Sequence, residues 1–341
     1  MQASDITKDI KEKALQLGYA SCGIIPTESF DGYSRRVDER TETFPHSKEL
    51  YERLYNRVNF PEDARSVIVC VRGFSGYKVP GSLRGRIGKF YLFHDNIAYS
   101  EAQRAKAEFS TYLRILGLRD FKLAPPDRWA AVNAGLGKFG RNNFIFTQEH
   151  GSYVSIDTWT VDLALDFDSP TDNKTAAGCS EGCLKCVEAC PTKALSGSFS
   201  MDWGKCVTHL MYKKTLLKED QRTQMGSWLY GCDACQDVCP MNHGKLTEEI
   251  DFPLLADFEK YLTLDALWVM DEATYLEVIH PRFWFTGKDG LIVWKRNALR
   301  AMINSGDKKY HPAIRDARTH ADDIIRELAE WGCNTRLLAT Q

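Results

Sequence analysis

The period of the hydrophobic pattern changes along the chain. Near the N-terminus Ile6, Ile10, Ala14 and Leu17 recur at helical spacing among Lys and Asp, with Ser4 or Asp5 placed to cap the helix they predict. Ala20-Ser-Cys-Gly-Ile-Ile25 and Ser66-Val-Ile-Val-Cys-Val71 are continuous apolar runs of strand length. A helix is expected from Ala98 to Leu116, ended by Gly117. Strands are expected at Phe144–Phe146 and Tyr153–Leu165, the second rich in alternating Thr, Val and Trp. This mixture predicts an α/β layer domain over residues 1–170. From residue 246 the pattern is helical. Val293–Ile303 reads as a helix stopped by Ser305-Gly306, and Ile314, Ala317, Ala321, Ile324, Leu328 and Trp331 predict one further amphipathic helix. Together they would make a helical hairpin repeat in a C-terminal region, residues 246–341.

Composition narrows the class. A chain of 341 residues with 43% hydrophobic content can bury a sizeable core and suggests two or three domains. A formal charge of -2 gives no global basic field for nucleic acid. Residues 281–341 are mildly basic, with Trp284, Trp294, Arg296 and Arg300 as a patch that could touch an RNA stem. The N-terminus carries neither a hydrophobic signal region nor a twin-arginine pair, and Ser66–Val71 is too short to span a bilayer. A soluble cytoplasmic protein with no membrane partner is expected; the oligomeric state is not legible.

The cysteines carry the chemistry. Of eleven, eight fall between Cys179 and Cys239; Cys22, Cys70 and Cys333 are scattered, and the first two sit in apolar strands as ordinary core residues. The dense segment, 171–245, contains Cys179-x3-Cys183-x2-Cys186-x3-Cys190-Pro191, a lone Cys206, and Cys232-x2-Cys235-x3-Cys239-Pro240. Zinc also takes Cys-x2-Cys pairs, but a Cys-x3-Cys-Pro step in both halves is the pattern of two-cluster ferredoxins, in which the last cysteine of each run serves the other cluster. That rule gives one [4Fe–4S] cluster to Cys179, Cys183, Cys186 and Cys239, and the second to Cys190, Cys206, Cys232 and Cys235. The first gap is one residue longer than usual, which makes Cys179 the ligand to check.

The stretch Tyr230-Gly-Cys-Asp-Ala-Cys-Gln-Asp-Val-Cys-Pro-Met-Asn242 resembles the signature of the epoxyqueuosine reductases, corrinoid iron–sulfur enzymes of queuosine biosynthesis in tRNA that share a superfamily with reductive dehalogenases. Asn133-Ala-Gly-Leu-Gly-Lys-Phe-Gly-Arg-Asn142 resembles the family loop that lies against the corrin, and Trp294–Asp307 resembles its HEAT-like repeat. The expected fold class is α+β/α/β: an N-terminal α/β domain for cobalamin and substrate, a ferredoxin-like two-cluster module and a helical C-terminal region with a HEAT-like repeat. The resemblance implies two [4Fe–4S] clusters and cobalamin as cofactors, with Gly135, Leu136, Gly137, Gly140, Arg141 and Asn142 at the corrin. Glycines at this spacing let backbone approach a flat ligand, although an ordinary turn would use them too. It also implies an external electron donor of ferredoxin or flavodoxin type, and tRNA as a possible partner.

The family's Asp-Ser-x-Pro segment, whose Asp is the implied proton donor, aligns with Phe121-Lys122 here. Asp120 lies one residue away and is the first candidate acid; Asp127, kept beside Arg128, is the second. His94, Asp95, Tyr99 and Tyr153 are candidates by neighbourhood. The family's Gly-Arg-Asp-Tyr-His-like segment reads Gly88-Lys-Phe-Tyr-Leu-Phe-His-Asp95. These changes predict weaker or absent turnover of epoxyqueuosine in tRNA. A cobalamin-dependent reductase of an epoxide or related C–X bond is the leading expectation. An electron-transfer protein serving a corrinoid or redox partner, and a non-respiratory dehalogenase-like enzyme, are the alternatives.

Overall fold

The computed structural model describes residues 2–94, 97, 100–169, 179–197, 199–253 and 255–337. Asp95, Tyr99, the expected helix start at Ala98 and most of the polar loop that opens the cysteine-rich segment lie outside them. Helix α1 (Ala3–Gln16) is capped by Gln2 rather than by Ser4 or Asp5. Asp5 sits in the first turn and accepts the Gln2 N–H at 3.2 Å, half of a capping box. Strand β1 (Ser21–Pro26) and strand β2 (Ser66–Gly73) follow. Helix α2 (Glu101–Ile115) begins where the Ser100 hydroxyl accepts the Gln103 N–H at 3.1 Å. Helix α3 (Asp127–Asn133) leads into the hairpin of β3 (Lys138–Phe139) and β4 (Ile145–Phe146), then β5 (Val154–Val161).

The sheet has order β1-β2-β5 and both pairings are antiparallel, with Cys22 opposite Cys70 and Cys70 opposite Asp157. The α/β expectation is corrected: the described domain is α+β. A continuous apolar run marks a strand covered on both faces and does not distinguish parallel from antiparallel neighbours. Here α1 and α2 cover the face carrying Ile24, Ile68 and Trp159, and α3 covers the face carrying Ile25, Val67 and Val69. β5 ends earlier than Leu165 because the chain leaves the ladder: the Ser66 hydroxyl donates to the Leu163 carbonyl at 2.7 Å and accepts the Leu165 N–H at 3.1 Å.

The cysteine-bearing segment forms short helices, α4 (Lys185–Ala189) and α5 (Ala234–Asp237) among them. Helix α6 (Leu291–Ser305) ends at Gly306 in the left-handed conformation, as expected from its sequence. The single helix expected beyond it is two: α7 (His311–Asp316) and α8 (Asp323–Gly332), separated by a 3-10 turn at Ala317–Thr319. The Asp322 carboxylate caps α8 by accepting the Ile325 N–H at 3.1 Å. The break shifts the phase of the helix, so Ile325 is buried while Ala321 is exposed.

One hydrophobic cluster joins these parts, holding Phe74, Leu92 and Tyr153 with Tyr230 and with Trp294 and Leu328. At its centre the Trp294 and Tyr230 rings stack at 5.2 Å and 8°. Trp294 is fully buried and therefore cannot belong to an RNA-binding patch. Among the described residues no helix is long and apolar enough to cross a membrane. Replacing Trp294 by Ala removes a fully buried aromatic ring from this junction and should cost about 3–5 kcal/mol, measured by urea unfolding; a loss under about 1 kcal/mol would show that the junction does not stabilise the fold.

Candidate functional site

The eight thiols divide into two groups through the fold of their loops. Cys239 lies within electrostatic reach of Cys179 and Cys183, and Cys186 within reach of Cys179 and Cys239. Cys235 lies within reach of Cys232, Cys206 and Cys190. The crossed ferredoxin pattern predicts the same two groupings. Among the described residues no three His, Cys, Asp or Glu side chains converge as ligands of a single metal ion. Burial, reinforced by neighbouring thiols, raises the thiols of Cys186, Cys206, Cys232, Cys235 and Cys239 above the ordinary cysteine range. Loading iron therefore displaces protons.

Backbone amides point at the sulfurs. Ala194 N–H donates to Cys190 Sγ at 3.2 Å and Arg141 N–H to Cys179 Sγ at 3.4 Å. Thr208 and His209 serve Cys206, and Ala234 serves Cys232. Such donors match thiolate ligands and tune the potential of an iron–sulfur centre. The residues present thus fit two clusters, and Cys179 is held despite its longer gap.

The glycine loop packs on both quartets. Besides the Arg141–Cys179 contact, Arg141 Nη1 donates to the Gly197 carbonyl at 2.7 Å and the Asn142 side chain to the Cys235 carbonyl at 3.3 Å. Its glycines answer to the hairpin itself. Gly135 has φ +73° at the end of α3. A Cβ on Gly137 would lie 3.2 Å from the Phe146 carbonyl, and one on Gly140 would meet the Phe146 ring at 2.4 Å. Leu136 packs against the α3 side of the sheet. Two buried donors, Arg141 Nε and Asn143 Nδ2, have no acceptor among the described residues. A ligand bearing amide carbonyls and phosphate, as cobalamin does, supplies such acceptors.

The altered segment at Gly88 lies on the second quartet. Gly88 N–H donates to the Tyr230 carbonyl at 2.8 Å, and a Cβ there would meet Cys232 N at 3.2 Å. Lys89, buried, donates from its amide to Asp233 at 2.8 Å and from its ammonium at 3.2 Å, with Asp237 as second carboxylate. Burial opposes the Lys89 charge, but the two carboxylates outweigh it and hold its pKa above the ordinary value. Sequence reasoning missed Lys89, Asp233 and Asp237 as a unit. The signal was available only in part, since acids beside cysteines do not name their distant partner.

The candidate acids are scattered. Asp120 bridges Val161 in β5, with its carboxylate on the Lys122 ammonium and accepting the Lys122 N–H at 3.0 Å. That is the opposite end of β5 from Val154, about 23 Å along the strand. Asp127 accepts the N–H of Arg128 at 2.8 Å at the start of α3. His94 packs edge-on to Phe90 at 4.6 Å. Tyr153 lies beside the first quartet, lining a cavity of about 570 Å³ with Cys239, Lys185 and Asp237, and burial raises its hydroxyl pKa. Cys22 is half-buried, and its thiol is hydrogen-bonded to that of Cys70.

A family model described as a 4Fe-4S double cluster binding domain matches residues 179–242, which contain all eight of these cysteines. The epoxyqueuosine reductase of Staphylococcus aureus (strain NCTC 8325 / PS 47) is 26% identical over 347 residues, 97% of this chain and 89% of that protein. The chain is thus similar to an epoxyqueuosine reductase along nearly its whole length. The fold agrees: a crystal structure of epoxyqueuosine reductase with an epoxyqueuosine-modified tRNA-Tyr stem loop superposes with a TM-score of 0.78 at 23% identity, covering 97% of this chain and 90% of that one. A Bacillus subtilis epoxyqueuosine reductase, described with its catalytic aspartate loop swung out of the active site, gives 0.77 at the same identity and coverage.

Changing Cys206 to Ser should remove one quartet only. Iron should fall from about eight to about four per chain, with one cluster left by electron paramagnetic resonance of the reduced protein. Two intact clusters in that variant would contradict the grouping.

Proposed function

We propose that this chain is an oxidoreductase that uses two [4Fe–4S] clusters and cobalamin to reduce the epoxide of epoxyqueuosine in tRNA. The observation that carries the reading is the pair of thiol quartets docked on the Arg141 loop, in a chain similar to epoxyqueuosine reductases along 97% of its length. The layout that goes with it is a cobalamin and substrate domain at 1–170, a ferredoxin-like module at 171–245 and a helical region with a HEAT-like hairpin at 246–341.

When bound, the clusters supply one electron each and the corrinoid supplies a redox-active cobalt centre. Deoxygenating an epoxide to an alkene consumes two electrons and two protons and releases water. The protein's share is to bind, orient and protonate. Cys179, Cys183, Cys186 and Cys239 would hold one cluster; Leu184 and Val238 beside them are 43% and 39% exposed, an apolar collar for a ferredoxin- or flavodoxin-type donor. Cys190, Cys206, Cys232 and Cys235 would hold the other. Arg141 and Asn143 offer their free donors to the corrinoid, with Gly135, Leu136, Gly137, Gly140 and Asn142 shaping the loop.

Asp120 is the proton donor that this reading assigns, its carboxylate resting on the Lys122 ammonium. Asp127 stays structural. The aligned Phe121-Lys122 pair displaces the acid by one residue, which makes turnover slower than in the relatives.

Two measurements test the proposal. Anaerobic protein given cobalamin and reduced methyl viologen should convert an epoxyqueuosine-containing tRNA stem loop to queuosine, and Asp120→Asn should lower the rate by about 10²-fold or more while retaining both clusters. No conversion by fully loaded protein would overturn the substrate, and equal rates would remove Asp120. Arg141→Met should weaken cobalamin binding about tenfold, read by equilibrium titration; unchanged affinity would remove this loop from the corrinoid site.

A further inference from the structure

Helix α6 carries two arginines that sequence alone placed on a basic RNA-facing patch, and the structure buries both. Arg296 is 3% exposed and Arg300 is 1% exposed. Their partners are backbone carbonyls. Arg296 donates to Met211 at 2.8 Å and to Thr215 at 3.1 Å, and contacts Lys213 and the Asn297 side chain. Arg300 donates to the Gly226 carbonyl at 2.6 Å and to that of Trp228. The segment they clamp, 211–228, runs between Cys206 and Cys232, two thiols of one quartet. A third arginine, Arg222, is 5% exposed and donates to the Leu217 carbonyl at 2.7 Å and to Glu327 at 3.2 Å.

The charge does not balance. Three guanidiniums share one carboxylate, that of Glu327, whose side chain is 60% exposed. Neither Arg296 nor Arg300 has a carboxylate partner among the described residues. Carbonyl dipoles satisfy hydrogen bonds but cancel no charge, and taking an unpaired ion out of water is strongly unfavourable. Burial, with Arg296 close by, pulls the pKa of Arg300 down to about 9; burial brings that of Arg296 to about 10. Both remain cationic at neutral pH.

The three arginines meet at a cavity. Arg222, Arg296 and Arg300 line it with Leu216, Leu217 and Leu328, and about 10 Å³ of it is open to the centre of a water-sized sphere. That is room for one small occupant. The Nε–H of Arg300 is buried and has no acceptor among the described residues. A pocket lined by three arginines and three leucines, one of the arginines keeping a buried N–H without an acceptor among the described residues, favours an anion that is small, singly charged and loses its hydration readily. Phosphate and sulfate are too large and too strongly hydrated.

We infer that Arg222, Arg296 and Arg300 form a buried halide site, occupied by chloride, that locks α6 and α8 onto the segment linking Cys206 to Cys232. The site is independent of the epoxide-reduction reading and involves none of the residues assigned to that chemistry.

Crystals of the cluster-loaded protein soaked in bromide test it directly. The expected result is an anomalous bromine peak in the cavity among the three guanidiniums. A peak absent there, with water in its place, overturns the inference. In solution, Tm should rise saturably by on the order of 2 °C when chloride replaces gluconate at constant ionic strength. Arg300→Met should abolish that dependence. Leu328→Phe fills the cavity while leaving every arginine in place and should abolish it too, which guards against an Arg300→Met protein that does not fold. Equal Tm in both salts, or halide dependence that persists in Leu328→Phe, contradicts the site.

Discussion

The crossed pairing of cysteines fixes what the rest of the molecule must do. In the crossed pattern the last thiol of each run serves the other cluster, so Cys239 would join Cys179, Cys183 and Cys186, and Cys190 would join Cys206, Cys232 and Cys235. Chain segments far apart in sequence are thereby forced together. The intervening stretch, from Cys206 to Cys232, is held by Arg296, Arg300 and Asn297 from α6, and the Cys232 loop is held by Lys89 through Asp233. Gly231 shows how tight that convergence is: with φ +73°, a Cβ there would meet the Tyr91 ring at 2.5 Å. The buried core that runs from Phe74 to Leu328 follows from the same requirement.

Charge is distributed to match. Thiolate-bound clusters are anionic, and a buried lysine, Lys89, lies against the Cys232 loop through Asp233. Lys89 is balanced by two carboxylates, whereas among the described residues Arg296 and Arg300 are met by carbonyls and Asn297 alone. Amide donors at Cys179, Cys190, Cys206 and Cys232 complete the surroundings. The Cys179 group has exposed apolar neighbours instead, Leu184 and Val238.

Local chemistry was legible in the sequence and distant chemistry was not. Cysteine spacing is a short-range signal tied to one cofactor geometry, so a two-cluster segment could be read from it. The end of α6 at Gly306 was equally local. Strand direction was not available, because the apolar run of β2 reads the same whichever way its neighbours point. The break between α7 and α8 depends on one capping carboxylate, Asp322, inside a pattern that otherwise keeps helical period. The Trp294, Arg296 and Arg300 patch failed for a different reason: a guanidinium satisfied by carbonyls from a remote loop looks in sequence like one meant for solvent. The glycines of the 135–140 loop were noticed for backbone approach to a ligand, yet Phe146 already accounts for two of them. The loop's unpaired donors at Arg141 and Asn143 emerged only from the fold.

The most direct test of the account is metal and sulfide analysis with Mössbauer spectroscopy on anaerobically purified, iron-57-labelled protein. Two cubane clusters predict about eight iron and eight acid-labile sulfide per chain, with quadrupole doublets of [4Fe–4S] type. Stoichiometric zinc with no sulfide, or iron for only one cluster in fully reconstituted protein, would contradict the paired quartets on which the rest of the structure depends.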